Sequence, residues 1–438
     1  HLCADGAPVG NEDAMMFAGG VIGFVRQEGR VLRRLAGDMG SLTAQRVFQR
    51  AVGLVSLYFV VRHLSQTDFG QYQFAAVAVA AVAFMALPGL DNAVMQSVAR
   101  GSEALYRRAT RAALLGSLLG SVLLVIAAFV LRSHRPEAFL PLLVAAALFP
   151  AYTGLTQWKS VLLARTRFSV WALTESLVSL TTHGLLISAV LLDVQPLWIF
   201  VALYFGPGAV MNVFASGLCW ARMDEPGDAA ENDRLFRYGL GASAVTMVSM
   251  VAEQIERIAI FLLLSPAVLA IYLAGDRLSE LVRSVAQDGA AVLAPRFARM
   301  NAYEGKVERA IWLICMVAGV GIVVFAFTLA PPLLILVFGH AYAPSIPFAQ
   351  ALLCSVAIGN VGQFQFRFIR SQLDAESFRT VTLWTSGLRI VAGIGLVYLF
   401  GVWGAVATVF LHRAVLSLLS SAVIRRRYRS ATPEVGHG

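Results

Sequence analysis

The sequence predicts an all-α membrane protein with about twelve transmembrane helices, arranged as two pseudo-symmetric six-helix bundles. Its 438 residues are 58% apolar and only 14% charged, whereas soluble domains are about 45–50% apolar and about 25% charged. The apolar residues form stretches long enough to cross a bilayer, and the two halves of the chain share a weak repeat. The composition argues against a soluble enzyme, a disordered chain and a disulfide scaffold.

Each predicted span holds roughly twenty or more mostly apolar residues, the length that a transmembrane helix needs. Short polar turns separate the spans. Several spans contain proline, which transmembrane helices tolerate where neighbouring helices satisfy the freed backbone groups. In chain order the spans cover residues 41–62, 71–99, 108–131, 138–163, 168–192, 196–219, 238–264, 267–295, 308–337, 346–369, 378–399 and 401–424.

The positive charge of the chain follows this topology. There are 35 Lys and Arg against 26 Asp and Glu, which gives a formal net charge of +9. Of the 35 cations, 25 lie on the side that holds the N-terminus, three lie on the opposite side and seven fall inside spans. By the positive-inside rule, both termini are cytoplasmic and the number of spans is even. Because the basicity reflects topology, nucleic acid is not an expected partner.

The spans divide the chain into two bundles, residues 41–220 and 238–424. A cytoplasmic linker, 221–237, is the longest strongly polar segment between spans, and a basic cytoplasmic tail follows at 425–438. Residues 1–40 are expected to form a cytoplasmic leader. Within it, 21–37 has a basic amphipathic pattern that fits a helix on an anionic membrane surface, and a solvated basic tail explains that pattern equally well.

A weak internal repeat relates the two halves at an offset of 200 residues. Both halves open with a span, a Leu-Ser turn, a tyrosine early in the next span and a later glycine. The matched positions are Leu64-Ser65 with Leu264-Ser265, Tyr72 with Tyr272, and Gly89 with Gly289. Because each half has an even number of spans, both halves share one orientation, and a site is expected where they meet.

Polar side chains inside the membrane concentrate on the first two spans of each half. Their presence demands an explanation, because a charge at mid-span costs about 2.5–3.5 kcal/mol on insertion scales. We interpret them as the lining of a hydrated cavity. Alternatively, Glu253–Arg257 and Glu280–Arg283 neutralise each other and hold helices together. The residues are Gln45, Arg46, Gln49, Arg50, Asp91, Asn92, Glu253, Gln254, Glu256, Arg257, Asp276, Arg277, Glu280, Arg283, Gln287 and Asp288.

The sequence lacks the signatures of ATP hydrolysis and of nucleophilic or metal chemistry. Its two lysines, Lys159 and Lys306, do not complete a GxxxxGK[ST] loop. The short loops supply no Ser/His/Asp or Cys/His constellation, and the four cysteines form no CxxC pair. We expect a protein that is not an enzyme and that holds no metal.

The chain resembles the oligosaccharide flippases of the MOP superfamily, in particular the Wzx-type flippases of O-antigen and exopolysaccharide. The resemblance is carried by residues 46–100, 256–300 and 338–345. It includes the L-x-x-x-x-F/Y-G-x-Y pattern of the first turn, which begins at Leu64 and ends at Tyr72. The resemblance extends over about 41–425 and supports a family better than any one substrate.

This resemblance implies two six-helix bundles in a MOP/MATE-like V, with a central cavity lined by spans 1, 2, 7 and 8. It implies that a lipid-linked oligosaccharide, typically on undecaprenyl diphosphate, moves from the cytoplasmic to the periplasmic leaflet of a bacterial inner membrane. Arginine suits a diphosphate because its planar guanidinium presents a fork of donors. The candidate substrate-binding residues are Arg46, Arg50, Arg277, Arg257, Arg283, Gln49 and Asn92.

Five carboxylates are candidates to orient these arginines or to bind a coupling ion, H⁺ or Na⁺. They are Glu253, Glu256, Asp276, Glu280 and Asp91. We expect no other cofactor. The expected partners are the lipid-linked oligosaccharide and membrane lipids, with a polysaccharide polymerase and glycosyltransferases as further candidates.

Two other functions stay open at this point. A cation-coupled multidrug antiporter of the same superfamily predicts a net acidic cavity, whereas arginines roughly balance the acids here. A membrane scaffold of a polysaccharide assembly complex would tolerate neutralisation of every cavity charge, and a transporter would not.

Overall fold

The computed structural model describes residues 45–223, 229–298, 300, 303, 305–372 and 374–428. The expected leader, 1–40, and most of the expected tail, 425–438, lie outside these residues. The first half contains α1 (45–63), α2 (Gln66–Val82), α3 (Gly89–Ala99), α4 (Ala104–Leu131), α5 (Phe139–Thr153), α6 (Gln157–Ala164), α7 (Phe168–Leu191) and α8 (Leu197–Arg222). The second half contains α9 (Ala229–Leu263), α10 (Pro266–Ala298), α11 (Gly305–Thr328), α12 (Ala330–Phe338), α13 (Ile346–Ser371), α14 (Ala375–Phe400) and α15 (Val402–Arg427).

Three of the predicted spans are each divided into two helices. The span at 71–99 breaks after a short 3-10 turn, where Leu87 adopts a left-handed φ of 54° just before Pro88. The span at 138–163 forms α5 and α6, and the span at 308–337 forms α11 and α12. The two prolines at the start of α12 explain that break, because proline lacks the N–H that a continuing helix would use.

Within the described residues, nine helical segments are long and apolar enough to cross a membrane. Helices α1, α9 and α10 are not in this set, and these three carry most of the intramembrane charge. At 1.5 Å per residue, α9 and α10 are each roughly 50 Å long, more than the thickness of a bilayer. The molecule is therefore a multi-pass helical membrane protein whose charges lie on helices of full spanning length.

The turns that open the two halves are built in the same way. The Ser65 hydroxyl accepts a hydrogen bond from the Asp68 amide at 3.1 Å, which caps the start of α2. The Ser265 hydroxyl accepts from the Val268 amide at 3.2 Å at the start of α10. The two turns lie at one end of the molecule, which we call the turn end. We call the other end, where α10, α13 and α15 finish, the basic end.

The two halves touch at the turn end through hydrogen bonds and aromatic packing. The Gln66 amide donates to the Ala341 carbonyl at 2.7 Å, and the Arg62 guanidinium donates to the Leu336 carbonyl at 3.1 Å. The rings of Phe74 and Phe261 stack with centroids 3.5 Å apart. The halves are thus closed against each other at this end.

A second contact between the halves joins α3 to α9. The Gly89 amide donates to the Ser243 hydroxyl at 3.0 Å, and a Cβ at Gly89 would collide with the Gly239 carbonyl. Nearer the basic end, the Ser97 hydroxyl donates to Asn232 at 3.1 Å. Helix α9 begins at Ala229, so much of the expected linker 221–237 is helical and packs on the first half.

At the basic end, the loop before α14 is tied to the end of α15. Asp374 caps α14 by accepting from the Ser377 amide at 3.0 Å, and it also accepts from the Tyr428 hydroxyl at 2.8 Å. Burial raises the pKa of Asp374, but these hydrogen bonds and nearby Arg427 lower it more, so this pKa lies below its ordinary value. This carboxylate therefore stabilises the fold at neutral pH, and the contribution disappears only in strong acid.

We expect Gly70→Ala to destabilise the protein, because a Cβ at Gly70 would collide with the Pro266 carbonyl at the turn end. The cost should be about 1–3 kcal/mol, as for other overpacked sites. Gly184→Ala in α7 is the matched control, since a Cβ there meets open space. Thermal unfolding in detergent measures both variants. Equal melting temperatures for the two would contradict the close approach at Gly70.

Candidate functional site

Two large cavities lie along the charged helices. The first, which we call the cleft, has a volume of about 450 Å³ and lies between the halves, lined by α1, α2, α7, α8 and α10. The second, which we call the second-half cavity, has a volume of about 480 Å³ and is lined by α9, α10, α13, α14 and α15. The resemblance implied one central cavity on spans 1, 2, 7 and 8. The structure instead divides the charged residues between these two cavities.

Arg257 lies at the centre of an ion-pair network between α9 and α10. Its guanidinium contacts the carboxylates of Asp276 and Glu280, each at 2.6 Å, and donates to the Gln254 side chain at 3.2 Å. Asp276 also accepts from the Ser279 hydroxyl at 2.8 Å. Arg257 is therefore largely neutralised by two acids on the next helix.

Arg277 extends this network to the first half. Its guanidinium lies 3.2 Å from Glu280 and donates to the Gln73 side chain of α2 at 3.0 Å. The Arg277 side chain is 41% exposed, so its remaining donors can reach the cleft. Arg277 thus lines the cleft and also takes part in the contact between the two halves.

The two ion pairs that helical spacing suggested do not form. Arg257 contacts acids of α10 rather than Glu253, and Glu280 contacts Arg257 and Arg277 rather than Arg283. The physical reason is that α9 and α10 pack side by side, so carboxylates on the neighbouring helix approach the guanidinium more closely. Among the described residues, neither Glu253 nor Arg283 makes a hydrogen bond or an ion pair.

Glu256 and Arg389 form a buried ion pair that joins α9 to α14. The guanidinium of Arg389 contacts both carboxylate oxygens of Glu256, with the Nε atom 3.3 Å from one of them. Glu256 is 1% exposed. Glu256, a candidate coupling carboxylate, is thus engaged in a bidentate interhelical pair.

The candidates on the first half are more dispersed. Arg50 lines the cleft, whereas Arg46 is exposed at the basic end of α1. The Gln49 amide donates to the Glu175 carbonyl at 3.1 Å, so it joins α1 to α7. Asn92 is exposed on α3 and lines none of the cavities described here.

Asp91 lies in a separate pocket of about 310 Å³, which is lined by the first half and by Met250 of α9. The same pocket contains the ion pair of Lys159 and Glu175, whose charged atoms are 2.7 Å apart. One carboxylate oxygen of Asp91 is buried without a hydrogen-bond partner among the described residues. Asp91 therefore does not share a cavity with the carboxylates of the second half.

The structure adds cavity residues on α13, α14 and α15 that the sequence analysis did not select. On all three helices they repeat at i, i+3, i+4 and i+7, the spacing of one helix face. The pattern was present in the sequence, but the intervening apolar residues conceal it. The cavity-lining residues are Gln363, Phe366, Arg367 and Arg370 on α13; Thr382, Thr385, Ser386 and Arg389 on α14; and Val409, His412, Arg413 and Leu416 on α15.

Positive charge exceeds negative charge in both cavities. The cleft is lined by three arginines, Arg50, Arg277 and Arg283, and one carboxylate, Glu280. The wall of the second-half cavity carries six arginines and three carboxylates. These are Arg257, Arg283, Arg367, Arg370, Arg389, Arg413, Glu253, Glu256 and Asp276. Within the described residues, no group of three His, Cys, Asp or Glu side chains could hold a metal ion. Both cavities thus favour an anionic ligand.

We expect Glu256→Gln or Arg389→Gln alone to lower stability by about 3–5 kcal/mol, because each leaves a buried charge unpaired. The double variant Glu256→Leu/Arg389→Met should recover most of that loss. Thermal unfolding in detergent gives the three values. Near-normal melting of either single variant would show that the pair is not buried as described.

Several solved structures resemble this chain over most of its length. An inward-facing multidrug resistance MATE family transporter of the MOP superfamily aligns with a TM-score of 0.62 and 17% identity, covering 88% of this chain and 96% of its own. Lipid II flippase MurJ in an inward closed conformation aligns with a TM-score of 0.64 and 10% identity, covering 86% and 87%. A MOP superfamily transporter from Pyrococcus furiosus, whose binding pocket is described as having reverse polarity, aligns with a TM-score of 0.58 and 14% identity, covering 90% and 95%. At these identities, the likeness shows the fold.

The predicted fold class is confirmed, since the chain has the MOP/MATE-like helical fold. No curated protein sequence matches the chain. A family described as "Polysaccharide biosynthesis protein" matches residues 35–301, more than half of the chain. The chain therefore belongs to the polysaccharide biosynthesis protein family.

Proposed function

We propose that this protein is a flippase for a lipid-linked oligosaccharide in O-antigen or exopolysaccharide synthesis. It moves the oligosaccharide on undecaprenyl diphosphate from the cytoplasmic to the periplasmic leaflet of a bacterial inner membrane, by alternating access. From the positive-inside rule, we propose that both termini and the basic end lie in the cytoplasm and that the turn end lies in the periplasm. A polysaccharide polymerase and glycosyltransferases are its proposed partners.

The observation that carries this proposal is the excess of arginine in the cleft between the halves. Arg50 comes from the first half, and Arg277 and Arg283 come from the second. A diphosphate in the cleft would lie between cations of both halves, and arginine binds phosphate through two parallel hydrogen bonds. The family description and the fold shared with a lipid II flippase support the same substrate class.

The closed turn end suggests how access could alternate. A headgroup that enters from the basic end would attract Arg50 and Arg277 towards each other. Closure there would have to be matched by separation of the contacts at Gln66 and Phe74 at the turn end. The free energy of headgroup binding would therefore have to offset the loss of these contacts between the halves, because a ligand shifts a conformational equilibrium only by its difference in affinity for the two states.

Coupling to H⁺ or Na⁺ is proposed for the carboxylates that are not engaged by arginine. Glu253 lines the second-half cavity and makes no ion pair among the described residues, and Asp91 lies in the first-half pocket. Asp276, Glu280 and Glu256 are engaged by arginines. Their proposed role is to hold those arginines in position.

A multidrug cation antiporter is the less favoured alternative, because most acids of the second half already neutralise arginines. An organic cation would have to displace a guanidinium or enter a site with excess positive charge. Drug efflux assays in a strain that lacks the protein separate the two functions. Efflux without accumulation of lipid-linked oligosaccharide would favour the antiporter.

We expect Arg50→Ala and Arg277→Ala to reduce polysaccharide export about tenfold or more, since each removes charge-assisted hydrogen bonds to the headgroup. Export is measured by complementation of a deletion strain, with the amount of protein in the membrane checked for each variant. Arg379→Ala is the control, because Arg379 is exposed and makes no hydrogen bond or ion pair among the described residues. Full export by both cleft variants would show that the cleft does not bind the headgroup.

A further inference from the structure

We propose that the second-half cavity is itself a binding site for a phosphate-type oxyanion, with Arg283, Arg413 and Thr382 as its principal ligands. The walls of this cavity come from α9, α10, α13, α14 and α15. It is therefore separate from the cleft, which helices of both halves enclose. The inference goes beyond the proposed function, and it stands whether or not the cleft binds a lipid headgroup.

Three of the cations in this cavity, Arg283, Arg370 and Arg413, have no ion pair with a carboxylate among the described residues. Arg413 is 8% exposed and donates only to neutral groups, the Leu352 carbonyl at 3.1 Å and the Ser355 hydroxyl. Arg283 makes no hydrogen bond or ion pair there. By contrast, Arg257 and Arg389 are matched by carboxylates. The positive charge that remains thus includes Arg413 and Arg283, in addition to Arg370 over the Phe378 ring.

The position of Arg413 makes this charge costly to leave without a counter-ion. It lies roughly 21 Å along α15 from Arg427 at the basic end. Arg283 and Arg389 line the same cavity and repel it, and Asp276, which attracts it, is already paired with Arg257. Buried cations are normally paired with an anion. An oxyanion in the cavity would supply that pairing for Arg413 and Arg283 together.

A hydroxyl group without a partner provides independent support. The Thr382 side chain lines the cavity, is only 7% exposed, and its hydroxyl has no hydrogen-bond partner among the described residues. A buried hydroxyl without a hydrogen bond is unfavourable. A phosphate oxygen would accept from it. Guanidinium groups and a hydroxyl are ordinary ligands of phosphate.

The size and entrance of the cavity also suit such a ligand. Its volume of about 480 Å³ is sufficient for a diphosphate with bound water. At the basic end, Arg370 lies over the ring of Phe378, and the Phe366 and Phe378 rings stack with centroids 5.5 Å apart. An anion arriving from the basic end would meet positive charge at the entrance and again at the bottom.

The test is titration of inorganic diphosphate into the purified full-length protein in detergent, free of phosphate, by calorimetry. We expect saturable binding by the unmodified chain, and affinity about tenfold lower in Thr382→Val and in Arg413→Gln, since each loses a hydrogen bond to a charged group. Arg379→Gln, at an exposed arginine that lines neither cavity, should leave the affinity unchanged. Melting temperatures without the anion verify that each variant is folded.

Three results would overturn the proposal: no binding by the unmodified chain, unchanged affinity in Thr382→Val, or an equal loss of affinity in Arg379→Gln. A second arm identifies the source of the oxyanion. Protein in nanodiscs containing a polyprenyl diphosphate lipid is compared with protein in lipid that lacks it. Competition with inorganic diphosphate indicates a lipid headgroup, and its absence indicates a soluble anion.

This experiment is independent of the export assay. If Arg50→Ala and Arg277→Ala export normally while Thr382→Val binds diphosphate weakly, the proposed function fails and the second-half site stands. If Thr382→Val binds normally while the cleft variants fail to export, the reverse holds.

Discussion

The structure depends on a single constraint, that charges placed inside a membrane must be neutralised or hydrated. The ion pairs of Arg257 with Asp276 and Glu280 meet this constraint at the junction of α9 and α10. Glu280 then connects to Arg277, and Arg277 connects to Gln73 of the other half. The network that neutralises the charges of α10 inside the bilayer therefore also joins the two halves. Any motion that separates them must alter the electrostatic balance of α10.

The two halves of the chain repeat the same backbone features, but they do not repeat the same charged residues. The serine caps of α2 and α10 agree, and Tyr72 and Tyr272 are both buried. Yet the first-half pocket contains a Lys159–Glu175 pair and Asp91, whereas the second-half cavity is rich in arginine. The repeat therefore gives two bundles with similar backbones. The asymmetry of charge determines on which bundle an anion would be held.

The sequence predicted the fold well because hydropathy reports the environment of whole helices. All twelve predicted spans correspond to helical segments, and the division of three of them follows local features such as Pro88 and the prolines of α12. The site was harder to predict. Spacing along one helix suggested that Glu253 would pair with Arg257, but the partners came from α10. Which helices are neighbours is a tertiary property, and a single sequence carries little information about it.

The residues on α13, α14 and α15 escaped selection for a related reason. A single arginine such as Arg413 in an apolar span is equally compatible with a position at the headgroups and with a buried cavity. Only the packing of five helices shows that several such cations face one space. Arg283 lines this space and also the cleft. Because one side chain of α10 borders both cavities, a rotation of α10 that changes the electrostatic field of one must change that of the other. The two cavities thus share one wall, on a helix that also carries the contact between the halves.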